Sequence, residues 1–516
     1  MEKSVQVKIT REMIKYSTGN LIGMKKGFIG IALFLFAVLI PYAGAYAINS
    51  CPITINDSSV VTQDIASATT CITIGADNLT LDCQGFLINF STGGGSNQNG
   101  IIASNRANVT VKNCHVVDTS GVGGGNQGIT FTGTVNSSII NNAVLTAAGS
   151  SSAAIRLSLG ATNNSLVGNN VTTTSPASQA IDIESNRNSL INNTAFSSTG
   201  QAILITNALN TSMVGNYGYS TGAAGIGIFP TANGTRMSFD VGYSTNSIGI
   251  IIQSSNNILM NVVGNSTAFT QVGLDIQGKN NIISNALGVS TGGAASGVII
   301  SSQLSTYNNL TAIAASGGSA TYALQIQTSS NSIYNSTIIT DNGGPAIGFT
   351  GSASNNTLDG TIILSNLTWI TTSSDSLGNN ITNTQFSAAN GTIVVTASTL
   401  PNGTIVDTSG LRFTSRVFLN STALPFLNGP ARITMRNLQF TQAQPTVDPE
   451  DDGTFVACTF CTIISYTSGT FVFDVPHFTG YSAQEYAAVP EFSTFALVIT
   501  VTGAMVGLIM LRRQSN

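Results

Sequence analysis

The chain has 516 residues, only 8% of them charged, and a formal net charge of −4. Ordinary domains carry about 25% charged residues, so this surface must be wetted by Asn, Ser, Thr and Gly. Without a basic stripe, nucleic-acid binding has no electrostatic footprint, and a 42% hydrophobic content in a regular period excludes a disordered polar chain.

The N-terminal segment 1–47 closes on an export signal. Lys25 and Lys26 precede an apolar stretch from Phe28 to Ile40, and Ala45-Tyr46-Ala47 makes an A-x-A cleavage site. The signal is complete from Met24, the expected start. Export places the six cysteines in an oxidising compartment, which favours disulfides over metal sites. Cys51, Cys71, Cys83 and Cys114 cluster ahead of the rest. Four cysteines allow three pairings; the expected set is Cys51–Cys71, tying down the entry segment, and Cys83–Cys114, stapling the first repeat units. Residues 48–70 are expected to cap the open sheet edge at which the repeat begins.

From 71 to 390 the chain repeats about every 24 residues, with units opening "NGIIA" at 99, "QGITF" at 127, "AAIRL" at 153, "QAIDI" at 179 and "VGLDI" at 272. Each unit reads as three short strands with no helix-period segment between them, one coil of a parallel β-helix. Alternation sends Ile, Val and Leu inward. A lone coil cannot bury them, so about thirteen coils must share one core. The pairs Asn163–Asn164, Asn192–Asn193, Asn256–Asn257, Asn280–Asn281 and Asn355–Asn356 are expected at matching turns, where Asn tolerates left-handed backbone and stacks into amide ladders.

These repeats resemble the right-handed parallel β-helices of pectate-lyase-like and NosD-type proteins, and the opening "CITIGADNLTLDCQG" resembles that of archaeal surface β-helix proteins. The resemblance implies an all-β, right-handed solenoid, but that architecture hosts lyases, hydrolases and adhesins alike. Copper, often attached to NosD-type proteins, finds no support in two isolated histidines, His115 and His477. No metal or other cofactor is expected.

Enzymes of this architecture gather carboxylates on the outer face of one sheet. The outward column of the first strand in each unit reads Thr130, Arg156, Asp182, Leu204, Gly227, Ile251, Asp275, Ile299. Arg156 and Asp182 are neighbours, expected to form a cross-coil ion pair, and Arg156, Asp182 and Glu184 are the candidates for a lyase-like site. Exposed Leu204, Ile251 and Ile299 await either cover by the C-terminal region or a partner. Sequons recur at coil corners, among them Asn78, Asn108, Asn170, Asn265, Asn335 and Asn420, as glycosylation candidates.

After residue 390 the period is lost. Strand-like runs through 391–487, broken by Pro and Gly, predict a small β-sandwich-like domain. Within it Cys458 and Cys461 form a C-x-x-C, read as a structural loop disulfide. The segment 488–516 carries an apolar stretch from Ser493 to Leu511, long enough to span a bilayer, and then Arg512 and Arg513. Pro490-Glu491-Phe492 ahead of it resembles the PEF-type sorting signals of archaeal surface proteins, which implies an archaeosortase-like processing partner; a permanent single-span anchor is the other reading. The expectation is an exported, membrane-anchored surface protein with a structural or adhesive role toward envelope glycans or surface proteins. A polysaccharide lyase or glycoside hydrolase, and an inert architectural spacer, stand as the alternatives.

Overall fold

The computed structural model describes residues 45–486, apart from 119, 148, 316–321, 341–343, 415 and 451. The expected export signal through residue 44, and the segment 487–516 with Pro490, Glu491 and Phe492, lie outside the described residues. Among the described residues no helix is long and apolar enough to cross a membrane.

The repeat folds as a parallel β-solenoid of about thirteen turns. Each coil lays one strand on each of three faces. Ile155–Ser158, Ser165–Val167 and Asn170–Thr173 are one such set, followed by Ile181–Ile183, Ser189–Ile191 and Thr194–Ser197. First-face strands form a fifteen-stranded sheet whose last strand alone runs antiparallel. Every strand pairs with its equivalent one coil on, so Thr130, Arg156, Asp182 and Leu204 line up directly. Inward positions such as Ile155, Ile181 and Ile203 are fully buried, each contributing roughly 1.5–3 kcal/mol relative to exposure. Parallel pairing begins early. Ile53–Ile55 already pairs with Ile72–Ile74, and Tyr46–Ile48 lies beside Ser59–Val61 at the entry edge.

The asparagine pairs divide their labour. Asn163, Asn256, Asn280 and Asn355 take the left-handed conformation at the corner between the first and second faces, a geometry Asn tolerates better than most residues. Their partners Asn164, Asn257, Asn281 and Asn356 turn inward and link coils, as where the Asn356 amide nitrogen donates to Asn379 Oδ1 at 3.0 Å. Asn192–Asn193 departs from this expectation, for it sits at the next corner, where a separate ladder runs Asn142, Asn169, Asn193, Asn216. In each step the side-chain amide donates to the next Oδ1 at 2.9–3.0 Å, and the last rung is Asp240, which accepts from Asn216 at 2.8 Å. The same column begins with the Cys83–Cys114 disulfide, whose Cys114 amide donates to Asn142 Oδ1. A covalent staple thus starts this corner, amides continue it and a carboxylate ends it. Cys51–Cys71 and Cys458–Cys461 are the other disulfides; such bonds suit an oxidising, extracellular setting.

At the third corner the walls come together. Gly218, Gly242 and Gly264 face Gly225, Gly249 and Gly273, and a side chain on any of the first three would run into the carbonyl opposite. Only glycine lets two backbones approach this closely.

The solenoid grades into the C-terminal region without a break. Asn379–Ala388 spans two faces in parallel register, then turns into antiparallel Gly391–Leu400. Ala431–Met435, Thr470–Val475 and Thr462–Thr467 extend that sheet. A five-stranded second sheet, containing Leu411–Phe413 and Gly480–Glu485, completes this region. One contiguous hydrophobic core runs from Ile48 to Tyr481.

Candidate functional site

Alternation along the first-face strands puts Arg156 and Asp182 on the outer surface, side by side on adjacent coils. Glu184 follows Asp182 by two residues and so projects on the same side. The structure brings the three together, with one change to the expected pairing. The Arg156 guanidinium grips both Glu184 oxygens through Nη2, at 2.8 and 2.9 Å, while its Nε stands 3.5 Å from Asp182 Oδ2 and makes no hydrogen bond. Glu184 is the principal partner because it is the more exposed carboxylate. Its side chain is 28% accessible against 9% for Asp182, so it can swing to meet the guanidinium.

Asp182 is an outward residue that water barely reaches. Burial first, and the neighbouring Glu184 charge second, push its carboxyl up to about 7 against the opposing pull of Arg156. A carboxylic acid held near neutrality can donate as well as accept a proton.

The surroundings are short of partners. Thr130 Oγ1, Arg156 Nε and Asp182 Oδ1, on three successive coils, are buried without a hydrogen bond, as is Asp275 Oδ1 further along the same column. Asp275 is raised by burial, tempered by its bond from Gln277. Of the apolar outward residues, Ile251 is buried, whereas Leu204 and Ile299 remain half-exposed. The strands of the C-terminal region pair with the last coils and not with these. Aromatic rings lie across the column where it carries glycine, Phe229 at Gly227 and Tyr322 at Gly348.

Sequence reasoning named the three charged residues but missed Thr130 as their unpaired neighbour. The signal was present, since Thr130 precedes Arg156 in the same outward column. Among the described residues no group of three or more His, Cys, Asp or Glu gathers as metal ligands would. The sequon residues Asn78, Asn108, Asn170 and Asn335 are exposed, and Asn265 and Asn420 half-buried. The Asn108 amide nitrogen donates to Asn78 Oδ1 at 2.8 Å. Asn420 also lines a concavity of about 350 Å³ in the C-terminal region, with Glu450, Phe460 and His477. There the Cys458–Cys461 loop holds Phe460 against the His477 ring, 5.3 Å between centroids.

No protein-family model and no curated protein matches the chain. Solved structures similar to it include a tailspike protein of E. coli bacteriophage HK620 in complex with a hexasaccharide, at 8% identity and a TM-score of 0.27, covering 86% of this chain and 85% of that one. The Azotobacter vinelandii mannuronan C-5 epimerase AlgE6 A-module aligns at 14% identity and a TM-score of 0.29, over 62% of this chain and 88% of the module. The tailspike protein gp49 from Pseudomonas phage LKA1 aligns at 12% identity and a TM-score of 0.32, over 81% and 68%. Likeness at this level adds nothing to the reading of the site.

Proposed function

We propose that this chain is an exported surface protein, anchored at or processed near its C-terminus, whose solenoid plays a structural or adhesive role by binding glycan on the outer face of its first sheet. One observation carries the reading. Arg156, Asp182 and Glu184 gather on adjacent coils of a single outer face, where the Arg156 and Glu184 side chains stay 35% and 28% accessible. Sugar hydroxyls, which both donate and accept, are suited to hydrogen-bond such a part-exposed guanidinium and carboxylate. The anchor, an archaeal envelope setting and an archaeosortase-like processing partner belong to the same proposal, drawn from the sequence of 488–516.

A second reading has its own support. A carboxyl held near neutrality at Asp182, beside a Glu184 carboxylate fixed by Arg156, has the protonation state of a general acid for a glycosidic bond, though the two groups hydrogen-bond each other, closer than the roughly 5–9.5 Å of glycosidase pairs.

The test is a polysaccharide screen of the full-length chain, scoring binding and fragment release together, with Asp182→Asn and Arg156→Ala alongside. Binding without release, weakened in both variants, is the expected result. Release abolished by both would make the protein a polysaccharide-degrading enzyme. Binding by neither wild type nor variants would leave only an architectural role.

A further inference from the structure

The third face carries a different surface. Outward positions of Thr194–Ser197, Tyr217–Ser220 and Val241–Ser244 stand in register, placing Phe196 beside Tyr219 and Tyr219 beside Tyr243. Their ring centroids are 5.2 and 5.1 Å apart, tilted by 47° and 55°. All three rings are half-buried, so each keeps part of its surface toward solvent. Tyr217 projects from the same face and is 41% exposed. Desolvation, and then the phenols of Tyr243 and Tyr219, raise its hydroxyl above the usual tyrosine value. On the next coil Asn265 continues the ring column, and its Oδ1 has no hydrogen-bond partner.

Charge narrows the occupant. From Ala143 to Leu364 the outward positions of the third-face strands carry no ionisable side chain other than the tyrosines. An anionic polymer would be desolvated here with no counter-charge in return. A pyranose ring has the matching character, with C–H faces that rest on the negative face of an aromatic ring and a rim of hydroxyls for phenols and an amide. The coil repeat of roughly 4.8 Å is close to the length of one hexose in an extended chain, so a glycan lying along the solenoid axis meets a new ring with each sugar.

We propose that Phe196, Tyr219 and Tyr243, with Tyr217 and Asn265 at their flanks, form a stacking site for a linear, uncharged hexose polymer running along the axis. This rests on the glycan-binding reading above but uses a different face from Arg156 and Asp182.

The test titrates the full-length chain with cellohexaose, mannohexaose and hexagalacturonate, by calorimetry and by saturation-transfer NMR. A neutral hexasaccharide should bind, with saturation entering from aromatic protons. Tyr219→Ala should weaken it about tenfold, in the range expected for one lost aromatic contact. Tyr219→Phe, which keeps the ring and the fold, should retain most of the affinity. Neutral binding lost in Asp182→Asn but intact in Tyr219→Ala would overturn this site while upholding the first-face reading. Binding of hexagalacturonate alone would overturn the neutral-ligand assignment. A concentration-dependent dimer abolished by Tyr219→Ala would give the face to a second copy of the chain, and the absence of binding by either neutral hexasaccharide would sink this site, leaving the first-face reading to the polysaccharide screen.

Discussion

Two regions of this molecule hold an aspartate out of water, and they do so in opposite ways. At the inner corner, Asp240 ends the asparagine ladder with every contact made. Its Oδ1 accepts from the Asn216 backbone and side chain, both at 2.8 Å, and its Oδ2 from the Ser238 amide at 3.0 Å. On the outer face, Asp182 has one oxygen near Arg156 and shares a hydrogen bond with the Glu184 carboxylate, so charged neighbours and not neutral amides hold it. The interior column is closed by its own chain and is therefore structural. The outer cluster instead keeps Arg156 and Glu184 partly open to solvent.

The largest effect should come from breaking the closed column. Asn193→Ala would strip partners from the Leu166 carbonyl and the Asn169 amide. At about 1–3 kcal/mol for each orphaned group, a loss of about 4 kcal/mol is expected, read as a lower denaturant midpoint and faster hydrogen exchange in the coils around 165–220. An unchanged midpoint would mean that the ladder is decoration.

Next in size is a pH dependence that both regions share. Burial raises Asp240 to about 6 and, with help from Glu184, Asp182 to about 7. Each carboxyl is easier to bury protonated, so the stability it contributes is full below the unfolded aspartate value near 3.8 and is lost as pH climbs through the folded one. The unfolding free energy should therefore fall between pH 4 and 7, by roughly 3 kcal/mol on account of Asp240. Asp240→Asn should flatten that slope up to about pH 6, and Asp182→Asn along its whole length to about pH 7. Asp474, held low by its hydrogen bonds from Arg432, acts below this window. A midpoint that rises steadily from pH 4 to 7 would contradict the burial of both groups.

The smallest stability effect belongs to the open region. Arg156 is 35% accessible at its side chain, and part-exposed ion pairs contribute about 0–1 kcal/mol. Arg156→Ala should cost less than about 1 kcal/mol in a denaturant titration while weakening glycan binding measurably. A loss as large as that of Asn193→Ala would reassign the cluster from ligand to fold.

The sequence carried more of the fold than of the site. The outward column of the first sheet could be written down in register because a period-2 strand inside a near-constant repeat leaves no freedom in which residue follows which. Asn192–Asn193 misled because two corners of each coil use the same dipeptide chemistry, and local sequence does not say which corner it occupies. Arg156 was legible as an ion-pair former, but not its preference for Glu184, which depends on how deeply each carboxylate is buried. The ring column has a weaker signature: "AFS", "GYS" and "GYS" at 195–197, 218–220 and 242–244 repeat openly, yet an aromatic at an outward strand position looks the same in sequence whether it packs on its neighbours or stands alone. Beyond residue 390 the strand order depends on long-range antiparallel pairings that no period announces, so the continuity of that region with the solenoid could only be seen folded.

The paired glycines of the third corner bear on how such a rod can change over generations. Where Gly242 meets Gly249 and Gly264 meets Gly273, a partial insertion would set a side chain against a carbonyl, whereas duplication of an entire coil copies both members of the pair and keeps the seam closed. The rod can grow or shorten here in whole coils, and each step alters together how far the protein reaches and how much outer face it presents.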